Sequence, residues 1–489
     1  MAWINLPAIR KYLSSLAGII MAASFLALLP LSSLRGPDTP IFLTFFLIAS
    51  GGYILAILRL KVEDISLKWI FGFAILFRVI LLFSTPSLSD DLYRYIWDGH
   101  LLGSGVNPYA FPVNSPSLDS FSTPLRGLVN HNWMASPYLP VSQLIFAIVE
   151  FLIPQNMLAF QTTAVIFDLL TGWLVMDILG KLGLSRQNVL IYLWNPLVIV
   201  EFSHGAHVDA VMIFLMMLAI RLLLKESRQH SYYRFGSAIA LAAATLTKLL
   251  PILLVPLFWG RWGWKERLIF AAIFLGALAL FIPGAGLGIV GPQDGTGVLG
   301  ALRIYLQSWN FNSGIYHWLE VWLSGYQTPG AVPEDIVGQR PIYIAKAISA
   351  ALLGLTIFLT AWLAWRIEKS CNQNLQTKNL AFIQLALLPL GAYLLLTSTV
   401  HPWYVTLIIP LLSFFSPSDL KSSPYRSFFW PWVYFSMVVT LSYLTYLDPD
   451  NLREIYWVRI VEYIPFYGLL LWASWRAMIE RKKARPVPV

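Results

Sequence analysis

Asp90 and Asp91 stand side by side in the stretch SLSDDLYRYIWDGHLLGSGVNPYAFP, from Ser87 to Pro112, and Arg94 and Asp98 follow at four-residue steps. Carboxylates at the start of a helix have their charged form favoured by the helix dipole. An ionised carboxylate in a pocket accepts a hydroxyl proton or orients a hydroxyl for attack. It equally holds a divalent cation. The same spacing also describes plain helix punctuation, with Ser89 as N-cap, Asp90 and Asp91 in the first turn and Gly99 as C-cap. Asp90–Arg94 and Arg94–Asp98 would then be ordinary i,i+4 ion pairs. Aromatic residues crowd the region, Tyr93, Tyr95, Trp97, Tyr109, Trp133 and Tyr138 among them. They suit an interfacial belt, the apolar face of a sugar or a lipid tail.

Other polar clusters carry the same double reading. Glu201, His204, His207 and Asp209 lie in EFSHGAHVDA. Two histidines three apart beside a carboxylate can ligate a metal, and the same residues can form a polar rim around a substrate. Arg78 sits inside an apolar run, where an arginine either serves a function or snorkels to the interface; with Arg94 it can meet a phosphate. Lys248, in ATLTKLLP, reads as a lysine snorkelling to the cytoplasmic surface, and Asp168, in VIFDLLTG, as a hydrogen-bond anchor. Arg303, Trp309, Asn310, Asn312 and His317 suggest a lid or interfacial packing. His401, Trp403 and Tyr404, in HPWY, read as an aromatic-belt turn.

The elements that must carry these residues follow from composition. The chain has 489 residues, 57% hydrophobic and only 12% charged. That is too little charge to cover a soluble surface, and several apolar runs reach the length of a spanning helix. The fold class is therefore all-α, a polytopic integral membrane protein. The net charge of +9 invites a nucleic-acid reading. Its lysines and arginines sit mainly in short loops, where membrane topology places them, so no nucleic-acid partner is expected. A single cysteine, Cys371, excludes an intramolecular disulfide.

With Arg10 and Lys11 inside, spans fall at about 13–34, 41–58, 66–83, 157–179, 189–203, 208–224, 268–289, 341–365, 380–400, 402–415, 427–447 and 455–475. The run 141–153 is short and reads as interfacial or re-entrant, and 236–258, interrupted by Lys248 and Pro251, as a hairpin of two half-helices. Both termini are then cytoplasmic. The 84–140 loop, His204 to Asp209, the 290–340 loop and HPWY share the outer face.

SDDLYRYIWDG with GVNPY, then YLPVSQLIFAI, LWNPLVIVEFSHGAHVDA, TKLLPILLVP, WNFNSGIY and TSTVHPWYVTLIIP together resemble bacterial membrane glycosyltransferases of the GT-C superfamily. The likeness is to polyprenol-phosphate-mannose-dependent mannosyltransferases of the glycosyltransferase family 87 and α-1,6-mannosyltransferase types. It implies one GT-C transmembrane domain over 1–489, with 1–65 as additional N-terminal spans, 84–156 as the catalytic extracytoplasmic loop and 290–340 as a second such loop. About 12 spans, a re-entrant hairpin and interfacial helices would make it up.

The resemblance further implies a transferase moving a sugar, mannose above all, from a polyprenyl-phosphate donor to a glycan, glycolipid or, less often, protein acceptor. It works at the outer face of the bacterial cytoplasmic membrane and inverts the anomeric centre. Asp90 would be base or hydroxyl orienter and Asp91 its support. Arg78, Tyr93, Arg94, His204, His207, Asp209, Arg303, Trp309, Asn312, His317, His401, Trp403 and Tyr404 would bind donor or acceptor. No cofactor is called for, and a divalent cation at the carboxylates stays open. The rival class is a lipid or sugar transporter or flippase, which would show inverted repeats and midplane charges; no repeat is visible.

Overall fold

The computed structural model describes residues 7–60, 65–224, 231–281, 297, 299–324, 340–370, 374–415, 425–448 and 452–483. Cys371, the C-terminal tail and much of the expected 290–340 lid lie outside them. The described elements are helical throughout, and the only β contact among them is an isolated bridge between Phe311 and Thr399. The all-α reading therefore holds. Four described helices are long and apolar enough to cross a membrane: Gly36–Arg59, Met157–Lys181, Pro341–Lys369 and Leu375–Leu396. Shorter apolar helices cover Leu13–Leu26, Pro140–Leu152, Leu250–Trp259 and Pro402–Phe415.

The helix boundaries correct the sequence reading in several places. The first helix, Pro7–Leu26, stops well short of residue 34. The run 189–203 is broken after Leu193, because Pro196 cannot continue the helix and Asn195 starts a new one, its side chain accepting from the amides of Leu197 and Val198. In 236–258 the expected break at Lys248 is present, but the parts are unlike: the helix Ser231–Thr247 is followed by short 3-10 and α segments, Leu250–Leu254 and Val255–Trp259.

The chain divides into two compact units. One comprises Met1–Ser84, Gly172–Glu201 and Asn310–Val489. Within it Pro7–Leu26 packs on Thr39–Arg59 and Leu67–Leu82, and Arg340–Lys369 on Leu375–Leu396. Its segment Asn310–Ser313 is stitched to 398–400: the Phe311 amide donates to the Ser398 carbonyl (3.0 Å) and the Val400 amide to the Phe311 carbonyl (2.8 Å).

The other unit comprises Thr85–Thr171 and Phe202–Trp309. Its centre is the short helix Asp91–Gly103 packed on Pro140–Leu152. Leu92, Tyr95 and Ile96 meet Phe146 and Val149 in one core cluster, while Trp97 and Leu101 pack on Val113, Leu118 and Val129 of the following loop. This helix starts one residue later than its sequence suggests: Asp90 is the N-cap position, and Ser89 Oγ accepts from the Asp91 amide (3.2 Å). Its end is also displaced, from Gly99 to Gly103, and the turn closes through Gly105 at φ 79°. Gly99 has a different task. A Cβ there would lie 2.5 Å from the Phe146 carbonyl oxygen, so its missing side chain lets the two helices touch backbone to backbone.

Candidate active site

The second unit gathers most of the candidate residues, and it starts by fixing the acidic segment. His204 Nε2 accepts the Ser87 amide proton (3.1 Å), three residues ahead of Asp90. Burial, reinforced by the neighbouring His207, pushes the His204 imidazole down to about 3, so it serves as a neutral acceptor. The backbone between the histidines is strained: Ala206 sits at φ 55°, a conformation L-residues rarely adopt and one that often marks functional turns.

Asp91 then has a polar neighbour on each side, of which Asn130 is within hydrogen-bond reach. Asn130 Nδ2 donates to its Oδ1 at 3.4 Å, and His207 Nδ1 lies 3.9 Å from its Oδ2. The His207 side chain is fully buried, whereas the Asp91 side chain keeps 22% exposure. A substrate can therefore reach the carboxylate but not the imidazole. Asn130 is a residue that sequence reasoning missed; the polar run NHNW at 130–133 was its only signal.

Asn130 owes its place to Arg94. The expected i,i+4 ion pairs are replaced by a clamp on the main chain: Nη2 donates to the carbonyls of Asn130 (2.8 Å) and His131 (2.9 Å), and Nη1 to that of Met134 (3.2 Å). Arg94 is only 2% exposed. Its turn in the loop is itself strained, with His131 at φ 46°, and the His131 ring packs edge-on against Trp309 at 4.7 Å.

Asp98 anchors the other end of that loop. It accepts from Ser136 Oγ and from Gln143 Nε2 (3.0 Å), so a carboxylate whose spacing suggested an ordinary ion pair with Arg94 is fully buried. Burial raises it from 3.8 to about 6 despite Arg94. Because the unfolded carboxyl loses its proton first, the unfolded state binds fewer protons between those values, and this group's stabilisation is lost as pH rises from about 4 to about 6. The difference is on the order of 3 kcal/mol. Asp98→Asn is expected to flatten the fall in melting temperature of the purified protein between pH 4 and 6.5. An unchanged slope would place the titration elsewhere.

Lys248 corrects another expectation. Its Nζ bonds both carboxylate oxygens of Asp209, at 2.8 and 3.0 Å, instead of running to a distant surface. Helices Asp209–Leu223 and Ser231–Thr247 pack together, so the pair ties the first residue of one to the residue just past the end of the other. Tyr93 packs against the Trp97 cluster, Arg303 is partly exposed on the helix Gly300–Ser308, and Asp168 is fully buried. Among the described residues no three His, Cys, Asp or Glu side chains converge as a metal cage.

The first unit holds the remaining candidates. Arg78 is fully buried, its Nη1 donating to the carbonyls of Ala74 and Leu193 (both 2.9 Å). His401 is stacked between Phe311 (4.7 Å) and Trp403 (4.3 Å), with Tyr404 edge-on at 5.4 Å. Asn312 Nδ2 donates to Glu462 (2.6 Å), and His317 Nδ1 accepts from Arg459 Nη1 (2.7 Å). Both Arg459 and Glu462 were missed in the sequence, where they look like ordinary members of a helix.

A family model described as "Alpha-(1->6)-mannopyranosyltransferase, N-terminal domain" matches residues 13–263. The chain is similar to alpha-(1->6)-mannopyranosyltransferase A of Corynebacterium glutamicum, at 28% identity over 181 residues covering 35% of this chain and 34% of the relative. It is also similar to alpha-(1->6)-mannopyranosyltransferase A of Mycobacterium tuberculosis, at 30% identity over 197 residues, 38% of this chain and 35% of the relative. A shorter match, 38% over 90 residues, covers 18% of this chain and 22% of GPI mannosyltransferase 1 of Eremothecium gossypii. The matched segments span about a third of the length of the two bacterial relatives. No solved structure matches. The family match takes in the acidic pair, Asn130, His207 and Lys248 together, and the chain belongs to the alpha-(1->6)-mannopyranosyltransferase family.

Proposed function

We propose that this protein is an integral membrane mannosyltransferase that takes its sugar from a polyprenyl-phosphate donor and passes it to a hydroxyl of a glycan or glycolipid at the outer face of the bacterial cytoplasmic membrane. The GT-C fold with about 12 spans and cytoplasmic termini belongs to this reading. Its main support is the acidic pair at the head of the Asp91–Gly103 helix, inside the family-matched segment, with one carboxylate accepting from Asn130 and lying 3.9 Å from His207.

Asp91 lies beside Asn130 and His207, and Asp90, next to it at the N-cap, is assigned to the acceptor. The acceptor hydroxyl attacks the anomeric carbon as Asp90 takes its proton. A new C–O bond forms on one face, and the bond to the phosphate oxygen breaks on the other, so the centre inverts. The polyprenyl phosphate departs with the electron pair. It is a good enough leaving group that no strong general acid is needed, and a nearby cation stabilises its developing charge. Arg303, partly exposed, suits that contact better than Arg94, whose two terminal nitrogens are engaged by main-chain carbonyls, or Arg78, which is fully buried.

The test is transfer by purified protein in lipid, offered labelled polyprenyl-phosphate mannose, glucose and arabinofuranose, with nucleotide sugars as controls. Mannose transfer from the polyprenyl-phosphate donor alone is expected. Transfer from a nucleotide sugar, or from no donor, would overturn the assignment.

A further inference from the structure

The first unit contains a buried polar cluster that the transfer chemistry above does not use. Arg459 and Glu462, three residues apart on the helix Tyr456–Lys483, grip the segment 312–317. The grip is reinforced by the Tyr463 hydroxyl, which donates to the Asn312 carbonyl (2.6 Å), and by contact of Arg459 with Glu454. The segment pays attention to this fit in its backbone: Asn312 sits at φ 45°, and a Cβ on Gly314 would meet the Tyr463 ring at 2.7 Å and the Tyr467 hydroxyl at 2.9 Å.

Four polar atoms of this cluster are buried with no hydrogen-bond partner among the described residues: His317 Nε2, Arg459 Nε, Glu462 Oε1 and the Tyr467 hydroxyl. His317, Arg459 and Glu462 are each more than nine-tenths buried. Their hydrogen-bonding character is fixed by what their other atoms do. Arginine can only donate, so His317 Nδ1 accepts and its ring proton is on Nε2. Arg459 Nε is likewise a donor, Glu462 Oε1 offers lone pairs, and the Tyr467 hydroxyl can do both. A buried polar atom left unpaired costs about 1–3 kcal/mol, so four in one place call for an occupant that both donates and accepts.

The surroundings narrow the occupant. The cluster's charged side chains, Arg459 with Glu454 and Glu462, do not sum to a positive site, which disfavours phosphate. Its polar atoms are flanked by aromatic faces instead. His317 touches the rings of Trp318 (5.3 Å) and Tyr456 (6.5 Å), and Phe311, next to Asn312 in the chain, begins the Phe311–His401–Trp403 stack. Mixed donors and acceptors beside aromatic faces match a sugar, whose hydroxyls do both and whose C–H face is apolar.

We propose that His317, Arg459, Glu462 and Tyr467 form a binding subsite for a hexosyl unit of the glycan acceptor; this rests on the mannosyltransferase reading. The site makes no covalent step. It holds a sugar ring by its hydroxyls.

The test is binding of α-1,6-linked mannotriose to the full chain in detergent, followed by saturation-transfer NMR and calorimetry. Tyr467→Phe removes one oxygen and is expected to weaken binding roughly three- to ten-fold. Glu462→Gln and Arg459→Met are expected to weaken it ten-fold or more. If the variants melt earlier but bind the trisaccharide as the parent does, ordered water fills the cluster and the proposal is wrong. Failure of the two readings is separable. A parent that binds mannotriose through these residues but transfers from no polyprenyl-phosphate sugar sinks the transferase reading alone. A parent that transfers mannose while its mannotriose affinity ignores these residues sinks the subsite alone.

Discussion

Asp90→Asn is expected to lower mannosyl transfer by two or more orders of magnitude with little change in folded yield. The two roles open to this carboxylate differ in size. A first-turn carboxylate that only complements the helix dipole is worth roughly 0.3–1 kcal/mol. A positioned base contributes about 10²–10⁴ in rate. Asparagine keeps the size and remains a good N-cap residue, so the stability arm stays small. Asp91→Asn should also cost activity, but less. Its oxygens already face Asn130 and His207, so asparagine disturbs the placement of the pair rather than removing the proton acceptor. His207→Ala should imitate Asp91→Asn. Transfer by Asp90→Asn within a few-fold of the parent would reduce Asp90 to helix punctuation. A larger loss from Asp91→Asn than from Asp90→Asn would exchange the two roles.

The sequence made the outline legible because membrane constraints are coarse. Length and apolarity sufficed for the all-helical class, and motif order sufficed for the family. The adjacency of Asp90 and Asp91 pointed to a candidate site because it is local, as was the break at Lys248. What stayed hidden depends on distant partners. Asp209 and Lys248 are 39 residues apart, and no periodicity links a residue thought to snorkel to one thought to rim a pocket. Asp98 was misjudged for the same reason: its spacing from Arg94 is that of an exposed ion pair, but Ser136 and Gln143 bury it. Gly99 looked like a cap because caps are the commonest use of glycine at such a position. Its actual use, close approach to Phe146, is set by a neighbouring helix that the local pattern does not describe.

Arg94 separates the two levels most sharply, and its replacement is the second large effect. The spacing allows a phosphate-binding arginine; the geometry makes it a clamp on three carbonyls of the loop that carries Asn130. Arg94→Ala removes charge-assisted hydrogen bonds worth about 1.5–3 kcal/mol each and leaves carbonyls behind without their donor. These terms do not add fully, and a net loss of about 3 kcal/mol or more is expected. That loss should appear in the donor-free protein as a lower melting temperature and a faster-cleaved 113–136 loop in limited proteolysis. Transfer should fall as well, because Asn130 no longer steadies Asp91. Arg94→Lys should recover little, since an ammonium cannot span three carbonyls as a planar guanidinium fork does. A phosphate-binding arginine predicts the reverse pattern. Donor affinity would collapse while the donor-free protein melted as before, and lysine would recover part of the binding. Observing that pattern would return Arg94 to the donor site and leave the loop to be held by Asp98, Ser136 and Gln143 alone.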